Sequence, residues 1–104
     1  MKIDVITLGK LGAYVRTYDG GQIVKGFRNK ALDATRAGDA FWGGFLYLVR
    51  KFAKPLDRFT LEDLSTCALW GNAAAALCVG RRGGIPAMPS AEEILAFLSG
   101  AQGA

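Results

Sequence analysis

The apolar positions of the chain change period along its length. Residues 2–8, "KIDVITL", crowd Ile3, Val5, Ile6 and Leu8 into a mixed run that predicts a strand buried on both faces. The glycines of "GKLG" end it. "AYVRTY" then alternates apolar with polar, "DGG" signals a hairpin turn, and "QIVKGF" returns as a strand. Beyond the linker "RNKALDATR" the period becomes helical: Phe41, Phe45, Leu48 and Phe52 form one stripe on a helix predicted from about 38 to 53, closed by Lys54-Pro55. Thr60, with Asp63 three residues later, reads as the capped start of a second, alanine-rich helix reaching about 79. Its Leu61, Leu64, Ala68, Ala75 and Val79 are expected on one side. "GRRGGIPAMPS" is a loop, Ser90 caps a third helix over "AEEILAFLSG", and Gly100 is its expected stop. The fold class is α/β, three strands followed by three helices, a pattern that looks like part of a larger unit.

The chain has 104 residues, enough for one modest core, and with 51% apolar and 21% charged residues it is globular and not disordered. A net charge of +4 favours anionic partners in principle. The basic residues are scattered, however, with only Arg50-Lys51-Lys54 and Arg81-Arg82 clustered and no aromatic platform between them. A solvated surface explains them better than nucleic-acid binding. The apolar runs are too short to span a membrane and nothing resembles a signal peptide, so the expected location is the cytoplasm with reduced thiols. Cys67 and Cys78 lie eleven positions apart on one predicted helix, about 16 Å by helical rise, too far for a mutual disulfide.

The chain contains no histidine, which removes Ser-His-Asp and Cys-His nucleophile schemes and most zinc sites. Carboxylates, backbone amides, Lys and Arg are left for any chemistry. A helix starting at Ala37-Gly38-Asp39 presents free amides and partial positive charge, where a phosphate or developing anion is best held. Gly38 permits close approach to the backbone, and Asp39 in that first turn can accept a proton from a hydroxyl. The competing reading is that Asp33 or Asp39 only caps the helix.

The stretch "DATRAGDAFWGGFLY" resembles the C-terminal signature of the ribokinase-like, or PfkB, carbohydrate kinases. "VITLGKLGA" resembles their nucleotide-side strand and turn, and "WGNAAAALCVGRRGGIPAMP" their last core helix and the loop closing the nucleotide site. "GGIPAMP" reads like the fructokinase branch. The resemblance spans nearly the whole chain but only about the last third of a family member. It implies a partial ribokinase-like fold, residues 1–104 forming one C-terminal nucleotide-binding segment. It also implies an ATP-dependent sugar kinase with Asp39 as catalytic base and the amides of Arg36, Ala37, Gly38 and Asp39 as the anion hole for the transferring phosphoryl group. Thr7, Gly9 and Gly12 would border the nucleotide and Asn72 the adenine; turn geometry is the alternative for the two glycines. Mg²⁺ would arrive with ATP. A monovalent cation such as K⁺ would match Asp33, Thr35, Cys78, Arg81, Gly83 and Ala87, largely through backbone carbonyls.

Two features depart from the family pattern. Arg36 stands where the family keeps a small residue, and Ala34 where it more often has Thr. The Arg36 side chain would either add positive charge near the phosphates or obstruct them. The sugar site and most of the central sheet belong to the first two thirds of such kinases. The expectation is therefore a fragment with a base and an anion hole but no substrate pocket, inactive alone. The alternative is a non-catalytic nucleotide-binding module. In either case the strand at 3–8, with an unpaired edge, is expected to drive self-association.

Overall fold

The computed structural model describes residues 3–8, 12–26, 34–80 and 90–103. Strands β1 (Asp4–Thr7), β2 (Gly12–Thr17) and β3 (Gly20–Lys25) are followed by helices α1 (Ala34–Phe52), α2 (Leu61–Gly80) and α3 (Ala91–Gly103). The expected class and element order are thus observed.

The strands form one antiparallel sheet in the order β1-β2-β3. Its inner face carries Val5, Ala13, Val15, Thr17 and Val24; Ala13 and Val15 are fully buried. The hairpin is tighter than "DGG" implies. Thr17 pairs with Gly20 across the two-residue turn Tyr18-Asp19, and β3 begins at Gly20, whose φ of 133° replaces an L side chain's usual geometry. The Thr17 hydroxyl donates to the Asp19 carboxylate across this turn. That bond, assisted by the Leu61 backbone amide, lowers the Asp19 pKa, against a smaller opposing effect of desolvation. β1 does not have two buried faces. Val5 is half-buried, whereas Ile6 is 54% exposed, because Ile6 points to the face of the sheet away from the helices, which nothing among the described residues covers.

α1 and α2 form an antiparallel pair over the inner face of the sheet. The stripe expected on α1 is observed: Phe41 and Phe45 are buried with Val15, Phe59, Leu64 and Cys67, while Leu48 and Phe52 pack against that cluster. Glycines let the two helices approach closely. A Cβ at Gly44 would lie 2.8 Å from the Trp70 carbonyl oxygen, and one at Gly71 would lie 2.6 Å from the Phe41 ring. Tyr47 stacks on Trp70 with ring centroids 5.7 Å apart.

The expected one-sided α2 is not what forms. From Asp63 to Leu77 no residue is exposed, since α2 lies between the sheet, α1 and α3. Its far side joins Ala73 and Ala74 to Ala40 of α1 and to Ile94 and Leu98 of α3. Alanine is small enough to be buried on any side of a helix, so its spacing shows no stripe.

Both predicted N-caps are present. Thr60 Oγ1 accepts from the Asp63 amide and the Asp63 carboxylate accepts from the Thr60 amide, each at 3.1 Å. Ser90 and Glu93 repeat the arrangement on α3 at 3.1 and 2.9 Å. Lys54 Nζ donates to Asp63 at 2.5 Å and sits 5.4 Å from the Phe59 ring centroid, tying the end of α1 to the start of α2. This hydrogen bond is the main cause of the lowered Asp63 pKa. Gly100 does not stop α3, which continues to Gly103. A Cβ there would touch nothing, so the glycine is an exposed interior position and costs the helix about 1 kcal/mol without ending it.

Candidate active site

The nucleotide-side candidates gather at one end of the sheet. Thr7 closes β1, is exposed, and pairs in register with Ala13. Gly12 opens β2, pairs with Lys25, and its carbonyl accepts a hydrogen bond from the Leu8 amide at 2.8 Å. Its φ is 111°, and a Cβ would meet the Val24 carbonyl oxygen and lie 2.6 Å from the Gly26 nitrogen. The backbone geometry at this position therefore requires glycine.

Asn72 faces the same end of the sheet from α2. It is buried, and its Nδ2 donates to the carbonyl oxygens of Val24 at 3.0 Å and Lys25 at 3.2 Å. These bonds satisfy carbonyls at the end of β3, an edge strand among the described residues. The two sequence-distant elements meet here, and the Asn72 amide group is already committed to the fold. A lone polar residue on an alanine-rich helix reads from sequence as a ligand contact, and nothing local to Asn72 reveals its partners on β3.

α1 begins four residues earlier than expected, at Ala34. Asp39 is consequently its sixth residue and lies in the second turn, with no acidic residue in the first. Asp39 does not cap the helix. The helical amides left without an i−4 partner precede it, at Ala34, Thr35 and Arg36, while those of Ala37, Gly38 and Asp39 fall inside the helical ladder. The Asp39 side chain is exposed, and the space where a Cβ of Gly38 would stand is open for 4 Å around. A carboxylate with no partner among the described residues and a glycine with open space beside it thus sit side by side on one helix.

The contacts of α1 fix how this turn lies against α2. Ala40 joins Ala73 and Ala74, and Phe41 packs over Gly71. The Asp39 turn therefore runs alongside the Asn72 turn, so base candidate and nucleotide-side candidates occupy the same end of the molecule. Gly43 and Gly44 divide their tasks: Gly44 is buried against α2, while Gly43 is half-buried and borders a surface cavity with Tyr47 and Arg50. Gly71, which accommodates Phe41, went unnoticed in the sequence, although small residues facing "GG" are the available signal.

The cation candidates are less fully placed. Asp33, Arg81, Gly83 and Ala87 lie outside the described residues, as does Gly9, and Thr35 and Cys78 fall within α1 and α2. Among the described residues no group of three or more His, Cys, Asp or Glu side chains could hold a metal ion. Cys67 is fully buried, and desolvation, with a smaller contribution from Asp63, pushes its thiol up to about 12. It is a core residue and not a nucleophile. A surface cavity of about 470 Å³ between β3 and α2, lined by Gln22, Ile23, Leu61 and Ser65 among others, contains none of the candidates. Another of about 590 Å³, along Gly43, Tyr47 and Arg50, contains none either. No described helix is long and apolar enough to cross a membrane.

Residues 2–91 match the family model described as pfkB family carbohydrate kinase. Among curated relatives, a ribokinase of Haemophilus influenzae is 35% identical over 94 residues, covering 90% of this chain and 28% of its own. A fructokinase-2 of Solanum lycopersicum is 34% identical, covering 96% and 30%. Solved structures agree. The fructokinase of Vibrio cholerae O395, in its fructose-, ADP- and calcium-bound form, superposes with a TM-score of 0.75 at 36% identity over 92% of this chain and 30% of its own. The fructokinase of Xylella fastidiosa with bound ATP gives a TM-score of 0.79 at 29% identity, over 96% and 33%. The chain spans about a third or less of the length of these proteins.

Proposed function

The chain belongs to the pfkB family of carbohydrate kinases, and we propose that it forms the C-terminal, nucleotide-side part of an ATP-dependent sugar kinase of the fructokinase type. The carrying observation is the pairing, on α1, of an exposed Asp39 carboxylate with open backbone at Gly38. In this reading Asp39 accepts the proton of the sugar hydroxyl as it attacks the γ-phosphorus of ATP. A carboxylate outside the cap and with no partner among the described residues is available for that transfer.

The anion hole is drawn from the start of α1. Of the four candidate amides that of Arg36, in the first turn, is the better donor toward a phosphoryl group in flight, because those of Ala37, Gly38 and Asp39 are engaged within the helix. Phosphoryl transfer depends chiefly on positioning and charge stabilisation, which a helix start and a nearby base supply. ATP would lie along the Thr7 end of the sheet, where Thr7 is exposed; Gly12 and Asn72 would shape that end without direct contact. Mg²⁺ would accompany the phosphates, and a monovalent cation would rest on carbonyls near Asp33 and the residues around Arg81. The sugar pocket belongs to the part of the fold this chain does not span, so the isolated chain turns nothing over.

A fusion tests the reading: the part of the Vibrio cholerae fructokinase that precedes the matched region, joined to this whole chain. It is expected to phosphorylate fructose with ATP in a coupled assay, and Asp39→Asn is expected to lower the rate by about 10³-fold. ATP affinity, measured by calorimetry, should change less than about twofold, since a base removes a proton without holding the nucleotide. Retained turnover in Asp39→Asn would take the base role away from Asp39. ATP binding without any turnover would leave a nucleotide-binding module.

A further inference from the structure

Charge is segregated along α1. Asp39 lies in its second turn, Arg50 and Lys51 lie in its last, and Gly43, Leu46 and Tyr47 between them are uncharged. Gly43, Leu46, Tyr47, Arg50 and Lys51 together line the surface cavity of about 590 Å³. That volume falls in the range of small-molecule sites, and no carboxylate borders it.

The five positions follow the i, i+3, i+4, i+7, i+8 spacing of a single helical face. Helical side chains lean toward the N-terminus, which brings the long side chains of Arg50 and Lys51 back over the turn of Leu46 and Tyr47. Gly43 contributes no side chain, which opens the end of the face nearer Asp39. Tyr47 is stacked on Trp70 at an interplanar angle of 18°, and its remaining surface borders the cavity. The stack holds the ring as a flat apolar wall, and Leu46, 52% exposed, supplies more apolar surface beside it.

The cations decide what such a cavity accepts. Arg50 and Lys51 are exposed, and neither is paired with a carboxylate among the described residues, whereas nearby Lys54 is bonded to Asp63. The negative end of the helix dipole offsets only about half a charge, so the pair keeps an excess of positive charge. A guanidinium presents a planar fork of donors that matches a phosphate, and the adjacent ammonium adds a second cation, enough for a dianion. The cavity between β3 and α2 differs on both counts, being bordered by Glu62 and by neither an aromatic ring nor a cation.

We propose that this face of α1 is a binding site for a planar aromatic phosphate monoester, its ring against Tyr47 and Leu46 and its dianionic phosphate on Arg50 and Lys51. The phosphate lies at the end of the cavity away from Asp39, whose carboxylate would repel it. The site uses no residue given a role in phosphoryl transfer and does not rest on the kinase reading.

The test titrates the whole chain with phenyl phosphate by calorimetry at about pH 8, where the phosphate is dianionic. Saturable binding is expected, at least about tenfold tighter than that of inorganic phosphate or of phenol, because each carries only half of the recognised chemistry. Arg50→Gln combined with Lys51→Gln should weaken it at least about tenfold, through the loss of two charge-assisted hydrogen bonds. Leu46→Asn, which removes only apolar surface, should weaken it about threefold. Arg58→Gln, an exposed cation outside the cavity, should change it less than about twofold. All these positions are exposed, so circular dichroism should be unchanged, and in the native chain the affinity should fall as salt is raised. Absence of saturable binding, inorganic phosphate bound as tightly as phenyl phosphate, or an affinity indifferent to both the double substitution and salt would each overturn the proposal.

Discussion

The Asn72 side-chain amide nitrogen bridges two carbonyl oxygens at the end of β3, Val24 at 3.0 Å and Lys25 at 3.2 Å, across nearly half the chain. Two partly buried bonds from one side chain hold the hairpin to α2. Asn72→Ala leaves both carbonyls without this donor and is expected to cost on the order of 2 kcal/mol in urea unfolding. An unchanged midpoint would return Asn72 to a role in ligand contact alone.

Gly71 offers a second check, on packing. Because Phe41 occupies the space a side chain would need, Gly71→Ala must push α1 away from α2. About 2 kcal/mol of destabilisation is expected, despite the better helix propensity of alanine. Gly38→Ala, where nothing lies within 4 Å, should instead stabilise the isolated chain by about 0.5–1 kcal/mol. Thermal melts of the two variants should shift in opposite directions.

Asp63 makes stability depend on acidity. Its folded pKa lies below the ordinary 3.8, chiefly through the hydrogen bond from Lys54. The carboxylate's contribution is therefore fully present above that ordinary value and is lost as pH falls through the lowered one. The melting temperature of the native chain should drop below about pH 4. Asp63→Asn, which keeps an acceptor for the Thr60 amide but loses the charge, should flatten part of that drop. Parallel acid-side slopes for the two proteins would contradict the assignment.

Cys67 should resist chemistry. Burial pushes its thiol from the ordinary 9.0 up to about 12, so its thiolate population near pH 8 falls on the order of a thousandfold. Peptide-resolved alkylation at pH 8 should leave Cys67 unmodified in the folded chain and label it readily in urea. Fast labelling of the native protein would show that the core around it opens.

The helix caps were the most legible part of the sequence, since Thr60 with Asp63 and Ser90 with Glu93 make their bonds within four residues. The start of α1 was harder to read. Gly38 looks like a boundary, yet the helix takes in Ala34 and Ala37 ahead of it, and Asp39 moves from first turn to second. That shift matters for the candidate site, because it separates the base from the free amides by a turn. Gly12 and Asn72 read in the sequence as nucleotide contacts, whereas the partners that the fold gives them are on β3, whose proximity depends on tertiary packing. The apolar run of β1 reads as burial on both faces, yet Ile6 is exposed, because nothing among the described residues covers that face of the sheet.

The enclosure of α2 bears on how this sequence can change. Along α1, tolerance of charged substitutions should follow the helical period, with positions such as Leu46 accepting what Phe45 rejects. From Leu64 to Ala76 no such rhythm is available, because neighbours press on the helix from every side. Divergence in α2 is then confined to exchanges among small residues, and a substitution there must be answered on the sheet, on α1 or on α3. The alanine run is in this sense the slowest-drifting part of the chain, although its composition looks the least specific.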